Sequence, residues 1–162
     1  LPSSFLADAI RYVVGAVTRI KLKNFMTYDF VEFRPGPRLN MILGPNGTGK
    51  SSIAAAIAIG LGFSPNVSCF YLYPAHHPQI MGRAPNLQAY VKQGTEHAET
   101  EIELKAPRGK SNYVITRKFQ MGNEKSTWQL NGKSKTKKDI EQLVTKLGVQ
   151  ANNLWCVFPH SA

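Results

Sequence analysis

The chemistry most legible in this chain sits in one run of residues, Gly44-Pro45-Asn46-Gly47-Thr48-Gly49-Lys50-Ser51. It satisfies the spacing G-x-x-x-x-G-K-[ST] at every fixed position. Gly44, Gly47 and Gly49 permit backbone conformations closed to other residues, so successive N–H groups can converge on one anion. A helix starting where such a loop ends adds unpaired N–H groups and a partial positive charge. The expected ligand is therefore a nucleotide polyphosphate. Its phosphate contacts are expected from Gly44, Pro45, Asn46, Gly47, Thr48, Gly49, Lys50, Ser51 and Ser52. Lys50 would reach the β- and γ-phosphates, and the Ser51 hydroxyl would ligate Mg²⁺ alongside phosphate oxygens and water. By average composition, a random chain of this size matches the pattern about once in a hundred or fewer.

The flanking segments supply the required context. Residues 39–43 (LNMIL) form a short, nearly continuous apolar run, which predicts a strand buried on both faces. Residues 51–59 (SSIAAAIAI) predict a helix, apolar nearly all round and so buried against a sheet, ended by Gly60-Leu61-Gly62. Upstream, residues 17–23 alternate: Ile20 and Leu22 face a core while Arg19, Lys21 and Lys23 face out. Residues 28–33 read as a second strand, followed by a Pro35-Gly36-Pro37 turn.

Downstream, residues 64–81 are aromatic, proline-containing and aperiodic, a loop or an insertion. A short helix is expected near 86–93. Residues 100–104 and 113–119 read as a hairpin around Pro107-Arg108-Gly109, and 126–130 as a third strand closed by Asn131-Gly132. Thr136 and Asp139 have the spacing of a capping box. The helix it opens places Ile140, Leu143, Val144 and Leu147 on one face and stops at Gly148. There is no internal repeat and no heptad run long enough for a coiled coil.

Composition bounds the rest. The chain has 162 residues, 43% hydrophobic, with a formal charge of +10. That is enough apolar content for a buried core, and no run reaches membrane-spanning length. The N-terminus starts without Met and lacks the pattern of a secretory leader. Two cysteines, Cys69 and Cys156, cannot make a disulfide framework and fit a reducing compartment. Between residues 101 and 140, ten Lys/Arg face four acids, so this stretch carries +6 of the total. Lys133, Lys135, Lys137 and Lys138 are its candidate DNA contacts; a solvated hairpin and helix face is the alternative. Trp128, Tyr113 and Phe119 are candidates for base stacking or for the core. Cys69 with His76 and His77 offers too few ligands for a zinc site.

The choice among P-loop classes narrows by elimination. No guanine-reading Asn-Lys-x-Asp segment is present, and only Arg83, Arg108 and Arg117 follow the loop, too few for an arginine-rich lid. Phe25-Met26-Thr27-Tyr28, the string PGPRLNMILGPNGTGKSSI at 35–53 and Gly82-Arg83-Ala84 resemble the head of the structural maintenance of chromosomes (SMC) family, above all its fifth subfamily. Val91-Lys92-Gln93-Gly94, residues 112–117, residues 128–132 and Asn153-Leu154 fit the same pattern. The resemblance covers about residues 14–63 and 81–154.

That resemblance implies an α/β P-loop NTPase fold, an ABC-type head lobe with a mixed sheet of antiparallel strands plus the P-loop strand and helix. It divides the chain into an N-terminal arm at 1–13, the lobe at 14–154 with a loop or insertion at 64–80, and a truncated Q-loop-like tail at 155–162. It implies ATP and Mg²⁺ as ligands, and a partner head of the sixth subfamily with kleisin-type subunits. It also implies non-sequence-specific DNA and a chromosomal, nuclear setting without a membrane. Lys23, Asn24 and Arg83 become candidate nucleotide contacts, against the plainer readings of an exposed strand end and a surface ion pair. His160 stands where the family carries a Mg²⁺-holding Gln, which makes it a second candidate metal ligand. The family's signature motif and Walker B acids are not in the sequence, so the chain alone is expected to bind ATP·Mg²⁺ weakly and hydrolyse little. Two alternatives stand beside this reading: a RecF-like repair ATPase head, and a non-catalytic basic nucleic-acid module.

Overall fold

The alternation of apolar and charged residues builds a sheet with one dry face and one wet face. The computed structural model describes residues 11–63 and 86–149. Its strands are β1 (Val17–Phe25), β2 (Tyr28–Phe33), β3 (His97–Leu104), β4 (Tyr113–Gln120), β5 (Asn123–Leu130) and β6 (Lys133–Lys135). They form one sheet in the order β2-β1-β3-β4-β5-β6, and every pairing is antiparallel. Helices α1 (Lys50–Gly60) and α2 (Lys137–Lys146) and a 3₁₀ turn (Leu87–Tyr90) complete the described elements.

Register places the apolar residues in rows across the sheet. Ile20 pairs with Ile102, Ile102 with Ile115, and Ile115 with Leu130. The α1 residues Ala55, Ala56 and Ile59 join this core. Helix and sheet approach closely at Gly60, where a Cβ would lie 2.7 Å from Ile102 Cγ1. Arg117 also lies on this face and is buried. Its Nη1 donates to the Ile59 carbonyl at the end of α1 (2.9 Å), its Nε donates to Ser126 Oγ (3.1 Å), and its guanidinium lies 4.4 Å from the Trp128 ring centroid. Burial pulls its pKa down to about 10. A helix C-terminus and an aromatic face are both places that favour a cation.

Thr100 is a flaw in this packing. Its hydroxyl is fully buried beneath Gly60 and has no hydrogen-bond partner among the described residues. Thr100→Val replaces the hydroxyl with a methyl of similar shape and removes an unpaid desolvation cost. Urea denaturation is expected to show the variant more stable than the parent by about 1 kcal/mol. A loss of stability would mean that the hydroxyl has a partner in solution.

The opposite face is wet and charge-balanced. Arg19 pairs with Glu101 (2.9 Å) and Glu103 (2.7 Å), Lys21 lies between Glu32 (3.6 Å) and Glu101 (3.5 Å), and Lys118 pairs with Glu99 (3.2 Å). The hydrogen bond to Glu103 raises the Arg19 pKa above its usual value. Burial alone would push Glu103 up, but hydrogen bonds from Asn112 and Arg19 outweigh it and hold its carboxyl below the usual range.

At the far end of the sheet, Asn131 (φ 48°) and Gly132 (φ 77°) make the tight turn into β6. Thr136 accepts from Asp139 N and Asp139 accepts from Thr136 N, so the capping box forms as its spacing requires. Ile140 and Val144 are buried, and Leu143 and Leu147 pack beside them.

Three segments differ from expectation. Residues 39–43 are not a strand: Leu39 is 91% and Leu43 80% exposed. A strand buried on both faces needs a neighbour on each side, and the six strands described here pair among themselves. The segment is instead pinned by Asn40, which accepts from Gly36 N (2.6 Å) and donates to the Gly36 and Arg38 carbonyls (3.0 Å each). The helix expected near 86–93 is only the 3₁₀ turn. The third difference, β6, has no apolar alternation to announce it. Residues 1–10, 64–85 and 150–162 lie outside the described residues, and with them most of the N-terminal arm, the insertion and the tail.

Candidate functional site

The glycine loop reaches α1 through two left-handed glycines, Gly47 (φ 85°) and Gly49 (φ 91°). Gly49 is the N-cap of the helix, and its carbonyl accepts from Ser52 N at 2.9 Å. Thr48 Oγ1 donates to Pro45 O (2.8 Å), closing the loop on itself. Lys50 folds back over it, Nζ donating to the carbonyls of Gly44 and of Pro45 (2.6 Å). No acid stands in the first turn of α1 to oppose an anion. Ser51 is half-buried at the helix start, whereas Ser52 is fully buried. The donor set of backbone N–H groups, one ammonium and one hydroxyl suits a Mg²⁺-bound polyphosphate.

The loop has a neighbour that periodicity does not reveal. The β1–β2 turn presses Thr27 and Tyr28 against it. Tyr28 OH donates to Thr48 O at 3.2 Å, and a Cβ on Gly49 would lie 2.7 Å from both Thr27 Oγ1 and Tyr28 OH. Gly49 is thus required twice, by its φ and by this close approach. Burial raises the Tyr28 pKa, so the phenol remains a donor.

The turn is held from behind by the segment after the 3₁₀ turn. Met26 N donates to Tyr90 O (2.9 Å), Lys92 N to Asn24 O (2.8 Å), and Lys92 Nζ pairs with Asp29 (2.6 Å). Lys23 is exposed on the outer face and Asn24 is left-handed (φ 50°). Among the described residues no hydrogen bond joins either of them to the loop, which meets Thr27 and Tyr28 instead. The only sequence signal for those two residues is their place in the Phe25-Met26-Thr27-Tyr28 string.

Lys133, Lys135, Lys137 and Lys138 are all exposed and are brought together at the β6 edge and the first turn of α2. Lys137 pairs with Glu141 (3.3 Å), while the other three make no salt bridge among the described residues. Hydrogen bonds at Thr136 lower the Asp139 pKa, with a smaller contribution from the charge of Lys135. Trp128 and Phe119 are buried in the core and Tyr113 packs against it, so they are not a stacking platform. No cluster of three or more metal-binding side chains occurs among the described residues. None of the described helices is long and apolar enough to cross a membrane. Arg83, His160, Cys69, His76, His77 and Cys156 lie outside the described residues.

A glycine-rich loop closed by lysine and serine, running into a buried helix laid on a sheet, defines the lobe of a P-loop NTPase. The family model described as AAA domain matches residues 19–160. Structural maintenance of chromosomes protein 5 of Arabidopsis thaliana is 38% identical over 148 residues, 91% of this chain and 13% of that protein. The protein of the same name from Schizosaccharomyces pombe is 39% identical over 148 residues, 91% of this chain and 12% of that protein. The chain therefore spans about an eighth of the length of these relatives.

Among solved structures, an SMC ATPase described by its ATP-driven dimerization and DNA-stimulated activation superposes with a TM-score of 0.66 at 24% identity, over 86% of this chain and 81% of that one. An SMC head bound to the C-winged helix domain of ScpA gives 0.67 at 23%, over 87% and 42%. The RecF–ATP structure fits less well, 0.58 at 17%, over 80% and 30%. The chain belongs to the AAA-domain family and is an N-terminal head segment of the structural maintenance of chromosomes type, fifth subfamily.

Proposed function

We propose that this lobe binds ATP·Mg²⁺ at the 44–52 loop and works as one half of a composite SMC head. The carrying observation is the loop itself: left-handed Gly47 and Gly49, Lys50 folded across it, and α1 starting at its end. Lys50 neutralises the terminal phosphates and Ser51 offers its hydroxyl to the metal. ATP supplies the phosphoanhydride whose cleavage, in an engaged pair of heads, needs acids and a signature motif from other chain segments. The exposed apolar side chains of 39–43 support the half-head reading, since such a surface is normally covered. In this reading the opposing head is of the sixth subfamily and kleisin-type subunits bridge the pair. The assembly acts on chromosomal DNA in the nucleus during repair.

The test is titration with ATP·Mg²⁺. Binding is expected, with Lys50→Ala weakening it by roughly ten- to hundredfold, the worth of a charge-assisted contact. Hydrolysis by the chain alone is expected to be negligible. Equal binding by Lys50→Ala, or robust turnover that depends on Lys50, would overturn the respective halves of this reading.

For DNA, the exposed lysines at β6 and α2 are the proposed contacts, meeting backbone phosphates without reading bases. Duplex affinity should fall steeply with salt. Neutralising Lys133, Lys135, Lys137 and Lys138 together should flatten the log–log salt slope by about 3 to 4. An unchanged slope would place the DNA elsewhere.

A further inference from the structure

We infer that Tyr28 is a positioning residue of the phosphate loop: its hydroxyl holds the Thr48 carbonyl outward, which turns the Gly49 N–H toward the anion. This rests on the phosphate-binding reading of the loop. The carbonyl of Thr48 and the N–H of Gly49 belong to one peptide unit, and in a trans peptide they point in opposite directions. Tyr28 OH donates to that carbonyl at 3.2 Å. On the opposite side of the C–N bond, Gly49 N–H makes no backbone hydrogen bond among the described loop contacts. It remains a donor at the entrance to α1. A flipped peptide would present the carbonyl, the negative end, to the same phosphate. Catalytic loops that stabilise anions depend on just such fixed N–H directions.

The clasp can do this because it is itself rigid. Tyr28 follows a turn in which Asn24 and Met26 are both left-handed, at φ 50° and 53°, and such residues persist only where their surroundings fix them. Phe25 between them is fully buried and bridges to Val91. Lys92 and Tyr90 hold the turn from the far side. Thr27 Oγ1 and Tyr28 OH leave no room for a Cβ on Gly49, so the loop is seated against the turn.

The experiment compares the parent chain with Tyr28→Phe, which deletes one oxygen, and uses Lys50→Ala as the control for loop binding. Dissociation constants are measured for ATP·Mg²⁺, GTP·Mg²⁺ and inorganic tripolyphosphate, and the Gly49 amide resonance is followed by ¹⁵N–¹H NMR without ligand. Tyr28→Phe is expected to weaken all three ligands by a common factor of about ten and to shift the Gly49 amide while leaving β3 and β4 amides in place. A loss confined to ATP would make Tyr28 a base contact and overturn the inference. So would unchanged affinities. If the parent binds none of the three in a Lys50-dependent way, the nucleotide reading fails. The Gly49 resonance then decides alone: a shift supports the clasp and an unmoved resonance sinks it.

Discussion

Phe25→Ala is expected to lower the unfolding free energy by about 3–5 kcal/mol, the usual cost of emptying a fully buried phenylalanine site. Phe25 has no exposed surface. Its ring lies 5.8 Å from Tyr90 and 6.2 Å from Phe119, the latter edge-on. It is therefore the point where β1, β4 and the 3₁₀ turn meet. The neighbours are fixed by backbone pairing and cannot close around the gap, which places the cost toward the upper end. Denaturant melts read it directly. A loss below about 1.5 kcal/mol would mean that the site collapses, and that the turn above it is softer than its two left-handed residues imply. Because that turn seats the phosphate loop, nucleotide affinity should fall along with stability.

Gly49→Ala carries the second large effect, expressed in binding. A left-handed non-glycine residue costs about 1–2 kcal/mol. A Cβ 2.7 Å from Thr27 Oγ1 and Tyr28 OH adds an overpacking cost of about 1–3 kcal/mol. Together these predict at least about a thirtyfold loss of ATP·Mg²⁺ affinity. Gly47→Ala is the internal comparison. It is equally left-handed, but its Cβ would meet nothing within 4 Å, so only the smaller backbone cost applies. Equal losses in the two variants would show that the turn yields to the loop.

Much of this arrangement could be read from residue order because the causes are local. The capping box at Thr136 and Asp139, the Asn131-Gly132 turn and the alternation at Ile20 and Leu22 each depend on neighbours in sequence. The buried α1 followed from its apolar circumference, and the left-handed turns of the loop before it from Gly47 and Gly49. What could not be read depends on partners distant in sequence. The apolar run at 39–43 has the composition of a buried strand, but strand formation requires an adjacent edge, and composition cannot say whether one is present. The acids Glu101 and Glu103 belong by sequence to a basic stretch, yet Arg19, more than eighty residues earlier, claims both. Thr27 and Tyr28 reach the loop only because the hairpin folds back over it. Lys23 and Asn24, a few residues earlier, end up facing elsewhere.

The charge-balanced outer face has one more consequence. Since Arg19, Lys21 and Lys118 are matched there by glutamates, that face contributes little net field, while the β6–α2 end concentrates lysines. The positive charge is therefore uneven, richer at the β6–α2 end than on the outer face. If DNA is met at that end, as proposed above, its field would turn the lobe before contact and favour arrival lysine-end first. Steering of this kind raises encounter rates by about 10- to 1,000-fold and fades as ionic strength rises. On the proposed DNA contact, orientation would thus be biased during diffusion, by the asymmetry of charge, before any side chain touches.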